Sequence, residues 1–376
     1  MVLDVNRTQV LAYRAAAQGL DRAVDDPAKL GVLDLGVQNS AADTARLALA
    51  ARLPELPDGE GDPFADDGDF TVLWSFRGAP HLHRRADLAG LARALWPRGD
   101  GDASSRLAAE RKPLAAAGIA PLEAFQAAAK ALRAVVTRPT PKGEVSAEIT
   151  RRLPDAYSYD CRSCKARHIY GGLFQLVGLP AGVRHEFDTS PPILVPLEGR
   201  PGIPKSGAGT SEVVRTYLRL HGPATASDVA GYLGTTRTEV TPNWPDGLTE
   251  VRVDGHRCFL PEEDLAALRD VEQPDYARLL PPLDPYLQSR DRDVLVPDPA
   301  RQKEIWKILG NPGVVFLRGE IAGTWRARAS GKKRLTVTVH GFGKLAKAAR
   351  ARIEEEAERV ATARRIADAS VVFAQD

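Results

Sequence analysis

The segment over residues 211–260 constrains the fold most, because its succession of helices, breaks and a tight turn fits few supersecondary units. Residues 211–220 place Val213, Val214, Tyr217 and Leu220 on one side of a helix. His221-Gly222-Pro223 breaks that helix, residues 227–233 make the next, and Gly234 turns the chain into a short candidate recognition helix over 235–240. Residues 248–253 and 256–260 flank Asp254-Gly255, a pair that favours the type I′ connection of a hairpin. A helix-turn-helix followed by a hairpin is a winged helix.

The same order is legible near the start. Asn6 and Gln9 have capping-box spacing, a second short helical stretch covers 27–35, and residues 40–53 read as a third helix with Ser40 as N-cap and Asp43 at N3. Strands over 71–76 and 79–84 then flank Arg77-Gly78, a helix covers 87–95, and residues 97–102 look like a linker. The middle is less regular: a strong helix over 121–136, a turn at 139–143, and a helix over 144–153 closed by Pro154. After 279 the pattern is β followed by α, with strands at 314–317, 321–328 and 334–339. Leu345, Ala349, Ile353, Ala357 and Val360 then stripe a terminal helix. The predicted class is α+β: winged helices over 1–100, 101–204 and 205–278, then a small β-rich element with the terminal helix over 279–376.

Charge decides what such a chain can bind. Lys plus Arg number 51 against 49 Asp plus Glu, so a nucleic-acid surface has to come from local clustering rather than from net charge. Clusters sit on the hairpins: Arg77, His81, His83, Arg84 and Arg85 on the first, Arg252, His256 and Arg257 on the second, and Arg326, Arg328, Lys332, Lys333 and Arg334 beside Trp325 on the last. Guanidinium groups on narrow β-loops suit phosphate contacts or minor-groove insertion, so double-stranded DNA is the expected partner. Met1 to Thr8 lacks the pattern of a secretory signal, and no apolar run approaches the ~18 residues of a membrane helix. Three cysteines make no disulfide framework. The expectation is a cytoplasmic, monomeric protein, its composition suggestive of a GC-rich bacterial genome.

Familiar catalytic signatures are absent: no GxxxxGK[ST], GxSxG or HExxH occurs. Cys161-x-x-Cys164 with His168 offers three of the four ligands of a structural zinc. The candidates for a fourth, His185 and Cys258, are distant in sequence, so these residues are read as ordinary thiols and no metal or cofactor is expected. Gln38-Asn39-Ser40 remains as the candidate catalytic segment, lying where a helix start could help position a water.

At these residues the chain resembles winged-helix DNA glycosylases of the AlkZ and YcaQ type. The resemblance is carried by Leu35-Gly36-Val37-Gln38, Ala51-Arg52-Leu53, Arg77-Gly78-Ala79-Pro80-His81, Lys142-Gly143-Glu144, the Cys161, Cys164 and His168 set, Asp284-Pro285-Tyr286, Arg290-Asp291-Arg292, Gly310-Asn311-Pro312-Gly313 and Gly323-Thr324-Trp325-Arg326. It implies three tandem winged helices and hydrolysis of the N-glycosidic bond of alkylated purines, interstrand crosslinks included. It also implies Gln38 as the water-placing residue, assisted by Asn39 or Ser40. Arg77, His81, His83, Arg84, Arg257, Trp325, Arg326, Arg328 and Lys332 are the expected DNA contacts. The family's motif is Gln-x-Gln or Gln-x-Asp around an aliphatic residue. Here Asn39 stands at the aliphatic position and Ser40 at the second polar one. A non-catalytic DNA binder is the alternative that this departure leaves open.

Overall fold

The computed structural model describes residues 3–40, 43–57, 62–66 and 68–374, which form two compact units. The first contains residues 1–62, 215–228 and 246–376; the second contains 63–214 and 229–245. Among the described residues no helix is long and apolar enough to cross a membrane.

In the first unit, helix Arg7–Ala17 starts at the expected capping box: Asn6 accepts from the Gln9 amide at 2.9 Å, and the Gln9 side chain accepts from the Asn6 amide at 3.2 Å. The expected helix over 27–35 resolves into two 3₁₀ turns, Pro27–Lys29 and Gly31–Asp34. Strand Leu3–Val5 adds in parallel to Leu248–Val253, which pairs with His256–Pro261 around Asp254-Gly255 in the expected hairpin. A second sheet orders Ala277–Leu280, Gly313–Leu317, Glu320–Ser330, Arg334–Gly341 and Ala369–Phe373, the last pair parallel and the others antiparallel. Helix Lys347–Ala363 covers it, setting Ile353, Ala357 and Val360 against Val315, Trp325, Val337 and Val339. Burial of that stripe supplies the main local driving force, at roughly 25 cal/mol per Å² of apolar surface.

Two glycines in this sheet are required by close approach. A side chain at Gly313 would meet the Trp325 ring at 2.4 Å, and one at Gly323 would meet the His340 carbonyl at 2.4 Å.

The second unit packs helices Pro121–Val135 and Lys142–Arg152 through Phe125, Ala128, Leu132, Val145 and Ile149 onto Trp74, Val183 and Leu194. Its strands Pro80–Arg84, Phe70–Trp74, Val183–His185, Ile193–Pro196 and Thr140–Pro141 lie side by side in that order. A separate two-stranded ladder, Ser158–Cys161 with Ala166–Ile169, carries the cysteine pair. The expected linker over 97–102 runs into a helix, Asp100–Arg106, pinned by Asp102, which accepts from Arg106 at 2.9 and 3.0 Å. Helices Thr210–His221, Ala226–Leu233 and Arg237–Val240 follow the predicted helix-turn-helix order.

Candidate active site

Gln38 and Asn39 are half-buried and Ser40 is exposed. The helix after them begins at Thr44, beyond the expected start, with Asp43 in the left-handed conformation at φ 68° ahead of it; residues 41 and 42 of the expected helix lie outside the described residues. Asn39 does the capping predicted for Ser40, its Oδ1 accepting from the Ala45 amide at 3.2 Å. That correction changes the chemistry of the segment. With another residue capping the helix, the Ser40 hydroxyl accepts from Gln38 Nε2 at 2.7 Å.

The other end of the Gln38 amide is also held. Gln288 Nε2 donates to Gln38 Oε1 at 3.2 Å and to the Leu283 carbonyl at 3.1 Å. An amide has two N–H donors and two lone pairs, so among the described residues Gln38 retains one of each, while Ser40 retains its own O–H. A water seated between them would donate to Gln38 Oε1 and accept from the Ser40 hydroxyl or the second Gln38 N–H. The carboxylates flanking the segment in sequence are engaged by arginines: Asp34 by Arg219, and Asp43 by Arg364 at 2.9 Å. The side chains that this segment presents are therefore amide and hydroxyl groups.

Gln288 is positioned from below. It ends the 3₁₀ turn Pro285–Gln288, which Asp284 caps by accepting from the Tyr286 amide at 2.9 Å. Both oxygens of Asp284 accept from Arg52, at 2.7 and 2.8 Å, and the pair is fully buried. Arg52 also donates to the carbonyls of Gln18 at 2.9 Å and Ala48 at 2.8 Å, so the guanidinium is well satisfied. The Ala51-Arg52-Leu53 and Asp284-Pro285-Tyr286 motifs are thus one structure. A second pair joins the buried Arg14 to the half-buried Asp291 at 2.5 and 3.0 Å, with Arg14 also donating to the Gly222 and Pro223 carbonyls. Burial pushes the Asp291 carboxyl above its ordinary pKa, against the opposing pull of Arg14.

The C-terminal hairpin carries the exposed basic surface expected of it. Arg326, Arg328, Lys332 and Lys333 are exposed along its outer face and tip, with Arg326 donating to the Gly310 carbonyl at 2.5 Å. Trp325 sits on the opposite face, 2% exposed, its indole donating to the Leu280 carbonyl at 2.9 Å; strand alternation makes it a core residue rather than a groove probe. Arg301, Glu304, Lys307, Arg326 and His340 line a polar basin of about 400 Å³. Next to Lys307 in sequence, Ile308 is 100% exposed and Leu309 86%. Arg257, on the Asp-Gly hairpin, is exposed but pairs with Glu250 at 2.7 Å and lies over the Phe259 ring.

In the second unit the first hairpin is buried where a solvated basic tip was expected. His81 and His83 lie in the core, packed around Phe76, with Ser75 Oγ 2.9 Å from His83 Nε2. Burial, and then the Arg84 charge, lower the His83 pKa to about 3. Burial, His83 and Arg77 lower that of His81 well below the ordinary value. Both are neutral core histidines. Arg77 turns the chain at φ 54°, donates to the Tyr232 carbonyl and stacks on the Tyr232 ring, while Arg84 pairs with Asp87 at 3.2 Å. Cys161, Cys164 and His168, set aside for want of a fourth ligand, converge: one ligand atom from each lies within 4.8 Å of the others. His185 is not beside them in the ladder but buried in the sheet against Trp74, and Cys258 belongs to the first unit.

The model of the family described as "DNA glycosylase AlkZ-like" matches residues 28–363. Among solved structures, the Streptomyces sahachiroi DNA glycosylase AlkZ superposes with a TM-score of 0.76 at 20% identity, over 99% of this chain and 100% of that one. No curated protein matches. With a family match over most of its length and a buried Arg52–Asp284 ion pair joining two of the motifs, the chain belongs to the AlkZ-like DNA glycosylases.

Proposed function

We propose that this protein excises alkylated purines, crosslinked ones included, from double-stranded DNA as a monofunctional glycosylase, with Gln38 placing the attacking water and Ser40 completing the site. The observation that carries this reading is the clamped Gln38 amide, fixed by Ser40 on one side and Gln288 on the other. A purine alkylated at N7 or N3 is cationic and leaves with its electron pair, without prior protonation. The sugar cation then takes the oxygen of a positioned water, whose proton passes to solvent. Orientation supplies most of what such a reaction needs. The amide and hydroxyl pair fits that demand, and Asn39, as the helix cap, contributes by holding the segment.

DNA would be held in the first unit by Arg326, Arg328, Lys332 and Lys333, whose exposure on one hairpin suits phosphates. Exposed Ile308 and Leu309, flanked by Lys307 and Arg326, suit insertion between base steps. The helix-turn-helix and hairpin over 210–261, and the helix pair over 121–152 with its hairpin over 158–169, support winged helices within 205–278 and 101–204; the helices over 7–17 and 44–50 and the hairpin over 70–84 support the one within 1–100. The protein acts as a cytoplasmic monomer in this reading.

A duplex bearing one 7-methylguanine, incubated with the protein and treated with alkali, tests the activity. Strand cleavage at the lesion is expected. Tight binding without cleavage, on this and on crosslinked duplexes, would leave a DNA binder and overturn the assignment.

A further inference from the structure

We propose that Cys161, Cys164 and His168 form a metal site on the second unit, selective for zinc and related borderline-soft divalent ions. The ladder brings them together. Cys161 ends strand Ser158–Cys161, and Lys165, left-handed at φ 51°, returns the chain so that Ala166 pairs with Cys161 and His168 with Tyr159. Residues two apart share a face of a strand, so Tyr159, Cys161 and His168 lie on one face, and Cys164 enters from the turn.

The convergence of two sulfurs and a ring nitrogen within 4.8 Å is the first observation. The second is independent: Nε2 of His168 is shielded from solvent and has no hydrogen-bond partner among the described residues. A shielded imidazole nitrogen without a partner is costly, and a cation would relieve that cost. The Ser163 hydroxyl lies 3.1 Å from Cys161 Sγ and 3.9 Å from Cys164 Sγ, linking both sulfurs through one small group.

Two thiolates and an imidazole are a donor set for tetrahedral zinc, with one position left for solvent or an exogenous ligand. Binding replaces two S–H protons, which go to buffer, and takes the histidine as neutral imidazole; no electron moves. The site ties the turn 162–165 to the strand carrying His168 and so stiffens the hairpin that follows helix Lys142–Arg152. It is independent of the Gln38 chemistry, and its test does not read excision.

The untagged full chain, with its three thiols verified as reduced and metal removed by chelator, is titrated with cobalt(II) and then zinc(II). One cobalt per chain is expected, with thiolate charge-transfer and tetrahedral ligand-field bands that zinc displaces. Cys164→Ser and His168→Ala should each weaken uptake by at least about a hundredfold. Cys258→Ser should leave it unchanged, and His168→Cys should restore binding with a shifted spectrum. Zinc should raise the melting temperature of the wild type but not of Cys164→Ser. Failure of the reduced chain to take up one metal, or uptake undiminished in Cys164→Ser, would overturn the site; so would a Cys161–Cys164 disulfide forming readily in a chain that takes no metal once reduced.

Discussion

At the residue scale the main surprise is the division of labour in Gln38-Asn39-Ser40. From sequence, Ser40 has the best N-cap chemistry, and a capping hydroxyl has little capacity left for a water. The helix begins instead at Thr44, after a left-handed Asp43; the Asn39 side chain reaches the Ala45 amide and Ser40 pairs with Gln38. That choice depends on the left-handed Asp43, which local spacing does not reveal. Asn39→Ala should therefore cost about 1 kcal/mol of stability, measured by denaturant unfolding, because it removes a cap. Ser40→Ala should instead reduce excision with little loss of stability. The absence of an acid or base among the segment's side chains also limits the substrate. Cationic N7- and N3-alkylpurines, which depart as neutral bases, should be excised, whereas uracil, which must depart as an anion or be protonated first, should react at least about a hundredfold more slowly. Comparable rates on both lesions would show a proton donor that this reading lacks.

At the element scale, hairpins and helices with strong periodicity are legible: the capping box at Asn6 and the Asp254-Gly255 turn stand as read, and the terminal stripe holds from Ile353 to Val360, while Leu345 falls ahead of the helix, which starts at Lys347. Elements made only by distant partners were not. Strand Leu3–Val5 has three residues and owes its existence to pairing with Val251 to Val253. The side of each hairpin that faces solvent was also beyond composition. Strand alternation puts Trp325 in the core and leaves Arg326 and Arg328 outside, while the 70–84 hairpin is buried around Phe76. If the outer hairpin grips phosphates, replacing Arg328, Lys332 and Lys333 with alanine should shallow the dependence of log K on log salt by about 0.9 for each phosphate no longer neutralised. Ile308→Ser with Leu309→Ser should spare that slope and slow excision. An unchanged salt slope in the triple variant would place the duplex elsewhere.

At the scale of the whole molecule, the fold is shared with the Streptomyces sahachiroi AlkZ at 20% identity, and within this chain ion pairs tie distant segments together. Arg52 with Asp284 and Arg14 with Asp291 cross-link segments more than 200 residues apart in sequence; in the fully buried Arg52–Asp284 pair, removing one partner leaves a buried charge. Asp284→Asn should cost about 3–5 kcal/mol by chemical denaturation and release Gln288 from its turn. The buried histidines make the second unit less stable in acid. In the unfolded chain His83 titrates near its ordinary pKa of about 6.5, whereas in the fold it stays neutral down to about 3. Stability is therefore complete above about pH 6.5. It falls as pH drops toward 3, because the unfolded state takes up a proton that the folded state refuses, by up to about 1.4 kcal/mol per pH unit for each such histidine. Melting temperatures taken between about pH 7.5 and pH 5 should fall, and less steeply in His83→Gln.

The most direct test of the central claim is single-turnover excision of 7-methylguanine by the wild type and by Gln38→Ala, with duplex affinity measured in parallel. The account predicts affinity within about twofold and a rate constant lower by at least about a hundredfold in the variant. Equal rate constants would show that the clamped amide does not place the water and would contradict the account at its centre.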